Sequence, residues 1–386
     1  MSMRVAILGT GMIGAIHRRA ALLAGADIAG VMASTPERSE RAAVEWGTTP
    51  IRHLDELADL GADVVHVCTP NQRHVEHTKA ALSSGAHVIC EKPLSVDTAQ
   101  AEALADLAES LGRTATVPFV YRFHPLVREI RARVQAGEFG SWQLLHGSYL
   151  QDWLLSPTAT SWRIDSAIGG PSRTFADIGS HWCDLMEFIT GERIESVVAD
   201  VTTTVSQRPR PPAGGDSAGE SMTVDTEDAA TVMFRTRSGV LGSVNVSQVS
   251  AGRKNRLWFE FDGAHRSAVF DQENPETAWM GAEHSEEILR RDPSRGSPDH
   301  RRLSSLPAGH AQGYGQCFDA FVDDTYAAVR GDVRDGLPTF ADGVRSARIV
   351  DAVVASSISG SRVKVADEPS VALPMRSDSS MATSTG

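Results

Sequence analysis

The chain has 386 residues, 41% hydrophobic and 22% charged, with a formal net charge of −12. That length exceeds the usual single domain and that apolar fraction supplies real cores, so two domains are expected. The acidic balance, with no long basic run, excludes the electrostatic footprint of a nucleic-acid binder or of a protein held to anionic lipid, and no run of about 18 apolar residues offers a membrane span. The sequence enters its first strand almost at once, so a secretory signal is not expected. Cys68, Cys90, Cys183 and Cys317 are widely spaced, which fits reduced thiols better than a disulfide frame or a zinc site. The expected location is the cytoplasm.

The apolar run at 5–8 reads as a buried parallel strand, followed at once by Gly9-Thr10-Gly11-Met12-Ile13-Gly14 and a helix to Leu23. A glycine turn between strand and helix is the dinucleotide fingerprint. Gly9 permits the tight turn, Gly11 lets the backbone approach a pyrophosphate, and Gly14 lets helix pack on strand, while unpaired N–H groups at the helix start attract phosphate. A glycine turn without a ligand is the alternative. The second strand, 27–32, leads into Ala33-Ser34-Thr35 where an NAD site usually places an acid. Without that carboxylate nothing repels a ribose 2′-phosphate, Ser34 and Thr35 donate hydrogen bonds, and Arg38 offers a cation, so NADP is favoured over NAD. Alternatively, Arg38 merely starts a solvated helix and the site takes either cofactor.

Strands at 63–68 and 87–90 follow. The first ends in Thr69-Pro70-Asn71 with His74 beyond, and the second delivers Glu91-Lys92-Pro93 to the same sheet edge, where ligands of such sheets bind. Asp97 and Gln100 have capping-box spacing for a helix that ends at Gly112, and 114–118 completes a doubly wound parallel sheet, a Rossmann domain over 1–122. From 123 to 365 the rhythm changes to a helix at 125–136, a strand at 142–149, another helix, and strands at 194–204, 229–235, 240–248, 255–262 and 267–270, with turn signals at Ser238-Gly239 and Asp262-Gly263. This predicts an α+β domain with a large, mostly antiparallel open sheet. Segments 206–221 and 283–306 are expected to be long loops without structure of their own, 341–357 a closing helix, and 366–386 a disordered tail. An open sheet with an apolar outer face needs covering, so a homodimer or homotetramer through it is expected.

Asp177, His181 and Asp184 have helical spacing that projects all three along one stripe, an acid–imidazole–acid set able to relay a proton. The structural alternatives are Asp177 as a helix cap, His181 as a satisfied interface histidine and Asp184 as a solvated charge. One histidine and two acids without further ligands do not make a metal site, and none is expected.

Gly9-Thr10-Gly11-Met12-Ile13-Gly14, Thr69-Pro70-Asn71 with His74, Glu91-Lys92-Pro93, and Asp177-Ile178-Gly179-Ser180-His181-Trp182-Cys183-Asp184 together resemble the signature set of the glucose-fructose oxidoreductase/inositol dehydrogenase/MocA family, in order along nearly the whole chain. Gly147-Ser148-Tyr149-Leu150-Gln151-Asp152-Trp153 and Ser161-Trp162-Arg163 look most like levoglucosan dehydrogenases and related sugar or glycoside dehydrogenases. The resemblance implies hydride transfer between nicotinamide and a secondary hydroxyl of a sugar, anhydrosugar, glycoside or cyclic polyol, the hydroxyl lying between Lys92 and His181. Lys92 would act as base or as a cation stabilising alkoxide, His181 would accept or relay the proton, and Asp177 would bind a neighbouring hydroxyl. Glu91 would help place Lys92, and the Lys92–Pro93 bond would be cis.

The implied cofactor contacts are Gly9, Thr10, Gly11, Met12, Ile13, Ser34, Thr35, Arg38, Cys68, Thr69, Pro70, Asn71, His74, Glu91, Lys92, Pro93, Tyr121, Trp162 and Arg163. Substrate contacts fall to Lys92, Tyr121, Arg122, Tyr149, Gln151, Asp152, Arg163, Asp177, His181 and Tyr314. Tyr149, Trp153 and Trp162 read equally well as packing between domains. A ketosugar reductase, a glycosidase that borrows NAD transiently, and a non-catalytic NAD(P)H sensor are the alternative activities.

Overall fold

Parallel strands covered by helices on both faces read as unbroken apolar runs, and Val5 to Leu8, with Val64, Val65 and Val67, are fully buried. The computed structural model describes residues 2–210 and 220–366. Strands β1 (Arg4–Leu8), β2 (Asp27–Met32), β3 (Thr49–Pro50), β4 (Val64–Val67), β5 (His87–Cys90) and β6 (Ala115–Thr116) pair in parallel in the order β3-β2-β1-β4-β5-β6. Strand order reverses between β1 and β4. The glycine turn after β1 therefore faces the Thr69 segment after β4 across the crevice where such sheets take ligands. Asp97 caps the helix Thr98–Ser110 by accepting from the Gln100 N–H at 2.8 Å, but the reciprocal half of the capping box does not form: the Asp97 N–H donates to Ser95 Oγ, which in turn donates to Gln100 Oε1.

The second sheet comprises β7 (Trp142–Leu150), β8 (Ile194–Thr202), β11 (Ala229–Thr236), β12 (Leu241–Ser247), β13 (Arg256–Gly263), β14 (Ser267–Asp271), β15 (Thr277–Ala282), β16 (Ser285–Arg290) and β17 (Val363–Lys364), while β9 (Gln207–Pro209) and β10 (Ser221–Thr223) form a small hairpin apart from it. Its order is β16-β15-β14-β13-β7-β12-β11-β8-β17, antiparallel throughout except where β12 runs parallel to β7. Alternation sets its faces. In β11, Ala230, Val232 and Phe234 are buried while Thr231, Met233 and Arg235 are exposed. The buried face packs on the helices Pro125–Gln135, Ser180–Thr190 and Phe340–Ser359 through Leu126, Ile130, Trp182, Leu185, Ile349 and Val353. Gly147 is what lets the helix bearing His181 approach so closely: a Cβ there would stand 2.4 Å from Trp182 Nε1.

Late helices return to the first sheet. Helix Tyr314–Val329 joins Val5 and Ile7 through Phe318, Phe321 and Tyr326, and Arg19 pairs with Asp319 at 2.8 Å. Helix Phe340–Ser359 is tied to Thr98–Ser110 by Arg348–Glu102 at 2.7 Å.

The expected loop 283–306 is instead structured: it holds β16 and the helix Pro298–Leu303. β16 is an edge strand whose charged side chains are mostly exposed, a composition that protects an open edge and mimics a loop in sequence. Beyond it Arg291 is buried and bonds Glu276 and the carbonyls of Leu306, Pro307 and His310. The other expected loop, 206–221, is also partly structured, since β9 and the first residue of β10 lie in it. Arg208 anchors this hairpin, bonding Asp228 and the carbonyls of Leu154, Ser156 and Ala159. Residues 211–219 and 367–386, and with them almost all of the expected tail, lie outside the described residues. Among the described residues no helix is long and apolar enough to cross a membrane.

Candidate active site

Three glycines of the first turn divide the work. Gly9 has φ +113° and a Cβ on it would meet the Cys68 carbonyl oxygen at 2.4 Å, while one on Gly14 would meet the Gly9 carbonyl oxygen at 2.0 Å. Those two keep turn, helix and neighbouring strand in contact. Gly11 has nothing within 4 Å of its Cβ position and borders a cavity of about 1610 Å³. Small-ligand pockets run to roughly 300–1000 Å³, so this one has room for a dinucleotide and a second molecule.

Thr10, Met12, Ile13, Ser34, Arg38, Cys68, Thr69, Pro70, Asn71, His74, Glu91 and Lys92 line the same cavity. Beside the second strand Arg38 Nη1 donates to Ser34 Oγ at 2.9 Å, and Arg52 and His53 add to the cavity wall. Thr69 Oγ1 is buried without a partner, a polar atom aimed where a ligand would satisfy it. His74 staples two strand ends, standing 2.8 Å from the Thr69 carbonyl oxygen and 2.7 Å from that of Pro93. Asn71 Nδ2 donates to the Gly169 carbonyl at 3.0 Å. Burial pushes the Cys68 thiol well up, so it is no thiolate. The Lys92–Pro93 bond is cis.

At the reacting end, Lys92 Nζ donates to Asp177 Oδ1 at 2.6 Å and to the Asp177 carbonyl at 2.9 Å. Gln248 Nε2 donates to the other carboxylate oxygen at 2.9 Å, and Arg163 Nε stands 3.9 Å from Oδ1. Burial opposes the charge on Asp177, but Lys92 and Arg163 outweigh it and hold this carboxyl well below the usual range. His181 is buried, edge-on to Tyr121 at 5.4 Å and Phe119 at 5.7 Å, with Nδ1 unpartnered. Burial pushes it down to about 3, with the Lys92 cation adding to the effect, so the ring is neutral at ordinary pH.

A polar net continues from there: the Tyr121 and Tyr149 hydroxyls are 2.6 Å apart, Tyr149 donates to Asn255 Oδ1 at 2.7 Å, and Gln151 donates to the same oxygen at 2.9 Å. Burial pushes the Tyr121 phenol up to about 12 and that of Tyr149 well above its usual value, so both keep their protons. Trp153, Trp162, Arg163 and Tyr314 complete the wall, with the Arg163 guanidinium 4.4 Å over the Trp162 ring. The three aromatics weighed as interdomain packing thus all face the cavity. A neutral imidazole and an ammonium with two of its three N–H groups committed to Asp177 are equipped to take a hydroxyl proton and to stabilise the oxygen left behind.

Four expected contacts do not reach the cavity wall. Thr35 caps the helix Pro36–Trp46 by accepting from the Arg38 N–H at 3.3 Å. Pro93 contributes its carbonyl to His74. Asp152 pairs with Lys254 at 2.6 Å. Arg122 turns into a separate cavity of about 250 Å³, bonding Asp184 Oδ2 at 2.8 Å and Asp342 Oδ1 at 2.8 Å. That pairing also removes Asp184 from the predicted acid–imidazole–acid stripe. Asp177 lies on a π-helical turn, Phe175–Gly179, that leads into the helix Ser180–Thr190, so the three groups do not share one regular helical face. Asn255, Gln248 and Lys254 went unpredicted. They sit at or beyond strand ends more than 70 residues from Asp177 and carry no local motif.

Residues 3–119 match the family model described as the oxidoreductase family with NAD-binding Rossmann fold, and residues 127–269 match the GFO/IDH/MocA C-terminal domain. Levoglucosan dehydrogenase of Pseudarthrobacter phenanthrenivorans is 31% identical over 351 residues, covering 86% of this chain and 88% of the relative. Inositol 2-dehydrogenase of Mycolicibacterium gilvum is 27% identical, with 95% of each chain covered. A solved structure of levoglucosan dehydrogenase in complex with NADH and levoglucosan superposes with a TM-score of 0.86 at 27% identity, covering 95% of this chain and 100% of that one.

Proposed function

The chain belongs to the GFO/IDH/MocA family of NAD-binding oxidoreductases, and from that premise we propose that it oxidises a secondary hydroxyl of a sugar, anhydrosugar, glycoside or cyclic polyol. One observation carries the reading: Lys92, Asp177 and His181 line the same cavity as the open Gly11 turn. Gly9 to Ile13 and the Thr69–Asn71 segment would hold a nicotinamide dinucleotide, which when bound supplies the hydride acceptor. Ser34 and Arg38 at the ribose end, with no acid at Ala33, favour NADP over NAD.

The chain's own groups manage the proton. His181, its basicity cut by burial and by the Lys92 cation, relays the substrate hydroxyl's proton onward rather than storing it. Lys92, fixed by Asp177, points its remaining N–H at the oxygen and stabilises negative charge as it develops there. Gln151, Tyr149, Tyr121 and Arg163 offer donors and acceptors for other hydroxyls, and Trp153 and Trp162 offer faces for the sugar's C–H surface. A cytoplasmic location fits the four unpaired cysteines, and assembly through the half-exposed outer face of the second sheet, with Leu144, Met233, Leu241 and Ile288 on it, would cover apolar surface.

The test is a panel of monosaccharides, inositols, anhydrosugars and glycosides with NAD or NADP, read at the reduced-nicotinamide band. Reduction with at least one cyclic polyol is expected. Release of free sugar with no net reduction would instead mark a glycosidase, and inertness toward the whole panel despite cofactor binding would mark a sensor.

A further inference from the structure

A chain of buried hydrogen bonds leaves Glu91, beside Lys92, and runs along one face of the first sheet. Glu91 Oε2 accepts from the Lys92 backbone N–H at 3.1 Å, and Oε1 stands 3.1 Å from His17 Nε2. His17 Nδ1 is 2.8 Å from His66 Nδ1, and His66 Nε2 is 2.8 Å from the Tyr326 hydroxyl. His17, His66 and Tyr326 are fully buried and none borders the cavity. His17 belongs to the helix that starts at the glycine turn, His66 to β4, and Tyr326 to the helix Tyr314–Val329.

The direction of donation follows from chemistry. Burial opposes the charge on Glu91, but the bond from His17 and the nearby Lys92 cation hold it below the usual carboxyl range. An ionised carboxylate only accepts, so the Nε2 of His17 carries a proton. When His17 carries a proton on Nε2 alone, its Nδ1 accepts from His66 Nδ1–H, and His66 Nε2 accepts from the Tyr326 hydroxyl. Burial pushes His66 well down, in keeping with its neutral role.

We propose that His17, His66 and Tyr326 are positioning residues: a one-way chain of donors that immobilises the Glu91 carboxylate, and through it the Lys92 backbone, in register with the glycine turn. Lys92 is thereby held at both ends, its amide by Glu91 and its ammonium by Asp177. The inference rests on the reading of Lys92 as a group that acts on the substrate hydroxyl.

Imidazole ¹⁵N NMR of the full chain should show one proton on His17, at Nε2, and one on His66, at Nδ1; protons on both His17 nitrogens, or the reversed pattern, would overturn the assignment. His17→Leu should lower kcat by about tenfold or more, with substrate KM and NADPH Kd within about threefold. His17→Gln, which supplies both a donor and an acceptor, should restore kcat to within about threefold of wild type. Wild-type turnover in His17→Leu, or equal damage in the two variants, would refute the positioning role. If His17→Leu does not fold, Tyr326→Phe keeps the ring and removes the terminal donor; the His66 nitrogen signals should shift, and unchanged signals would refute the chain. Lys92→Ala separates the two levels. Retained turnover there defeats the reading of Lys92 itself, whereas an inactive Lys92→Ala beside a fully active His17→Leu defeats only this inference.

Discussion

Gly11→Ala and Gly14→Ala make a matched pair, because the same added methyl meets opposite surroundings three residues apart. At Gly14 the new Cβ would lie 2.0 Å from the Gly9 carbonyl oxygen, and at Gly11 it would meet nothing within 4 Å. The Gly14 clash is about 1 Å inside any tolerated contact, and the atoms it meets belong to the Gly9 backbone, so no rotamer relieves it. Overpacking of this kind costs roughly 1–3 kcal/mol and sometimes more, and we expect about 3 kcal/mol for Gly14→Ala. Gly11 precedes its helix at φ −71° and ψ −175°, a conformation alanine adopts freely, so Gly11→Ala should stay within about 1 kcal/mol of wild type. Its methyl would instead occupy the space a pyrophosphate approaches, weakening the cofactor by at least about tenfold, or about 1.4 kcal/mol. Urea denaturation without ligand and fluorescence titration with NADPH and NADH separate the two effects. Wild-type cofactor affinity in Gly11→Ala, or wild-type stability in Gly14→Ala, would refute the division of labour among the glycines.

Ala33→Asp should move the ratio of NADP to NAD specificity constants toward NAD by about tenfold or more, since a carboxylate there repels a 2′-phosphate and accepts from ribose hydroxyls; an unchanged ratio would remove the argument for NADP. Buried His124, pushed down to about 3 chiefly by burial, binds a proton when unfolded near pH 6.5 but not when folded. Stability from this group therefore falls as pH drops below about 6.5, by about 2 kcal/mol at pH 5. His124→Gln should narrow the stability gap between pH 7.5 and 5 by that amount. Comparing the two proteins cancels the opposite contribution of Asp184, whose carboxyl burial raises to about 7; an identical gap in both contradicts the buried neutral histidine. Light scattering at working concentration should report a dimer or tetramer, and a monomer would contradict assembly through the second sheet.

The elements most legible in sequence were those whose apolar pattern and punctuation agree. β2 and β5 have the expected bounds, and the Asp97 cap forms as its spacing predicts. The cavity brings together most of the predicted residues, because motifs at the ends of parallel strands need only the sheet order to meet. What sequence hid was set by distant partners. The sequence reading puts Arg122 beside the substrate, yet the carboxylates of Asp184 and Asp342 draw it elsewhere. Edge strand β16 passed for a loop because its exposure makes it charged. Asn255 became a hub only through contacts with Tyr121, Tyr149 and Gln151 more than a hundred residues away, which no local pattern records.

The most direct measurement is the single-turnover rate of hydride transfer, with any polyol the panel identifies, in wild type, Lys92→Ala and His181→Ala, alongside the affinity of each for NADPH. Each substitution should slow the step by roughly 10² or more while cofactor affinity holds. A wild-type rate in either variant would contradict the claim that an ammonium and an imidazole act together on one hydroxyl.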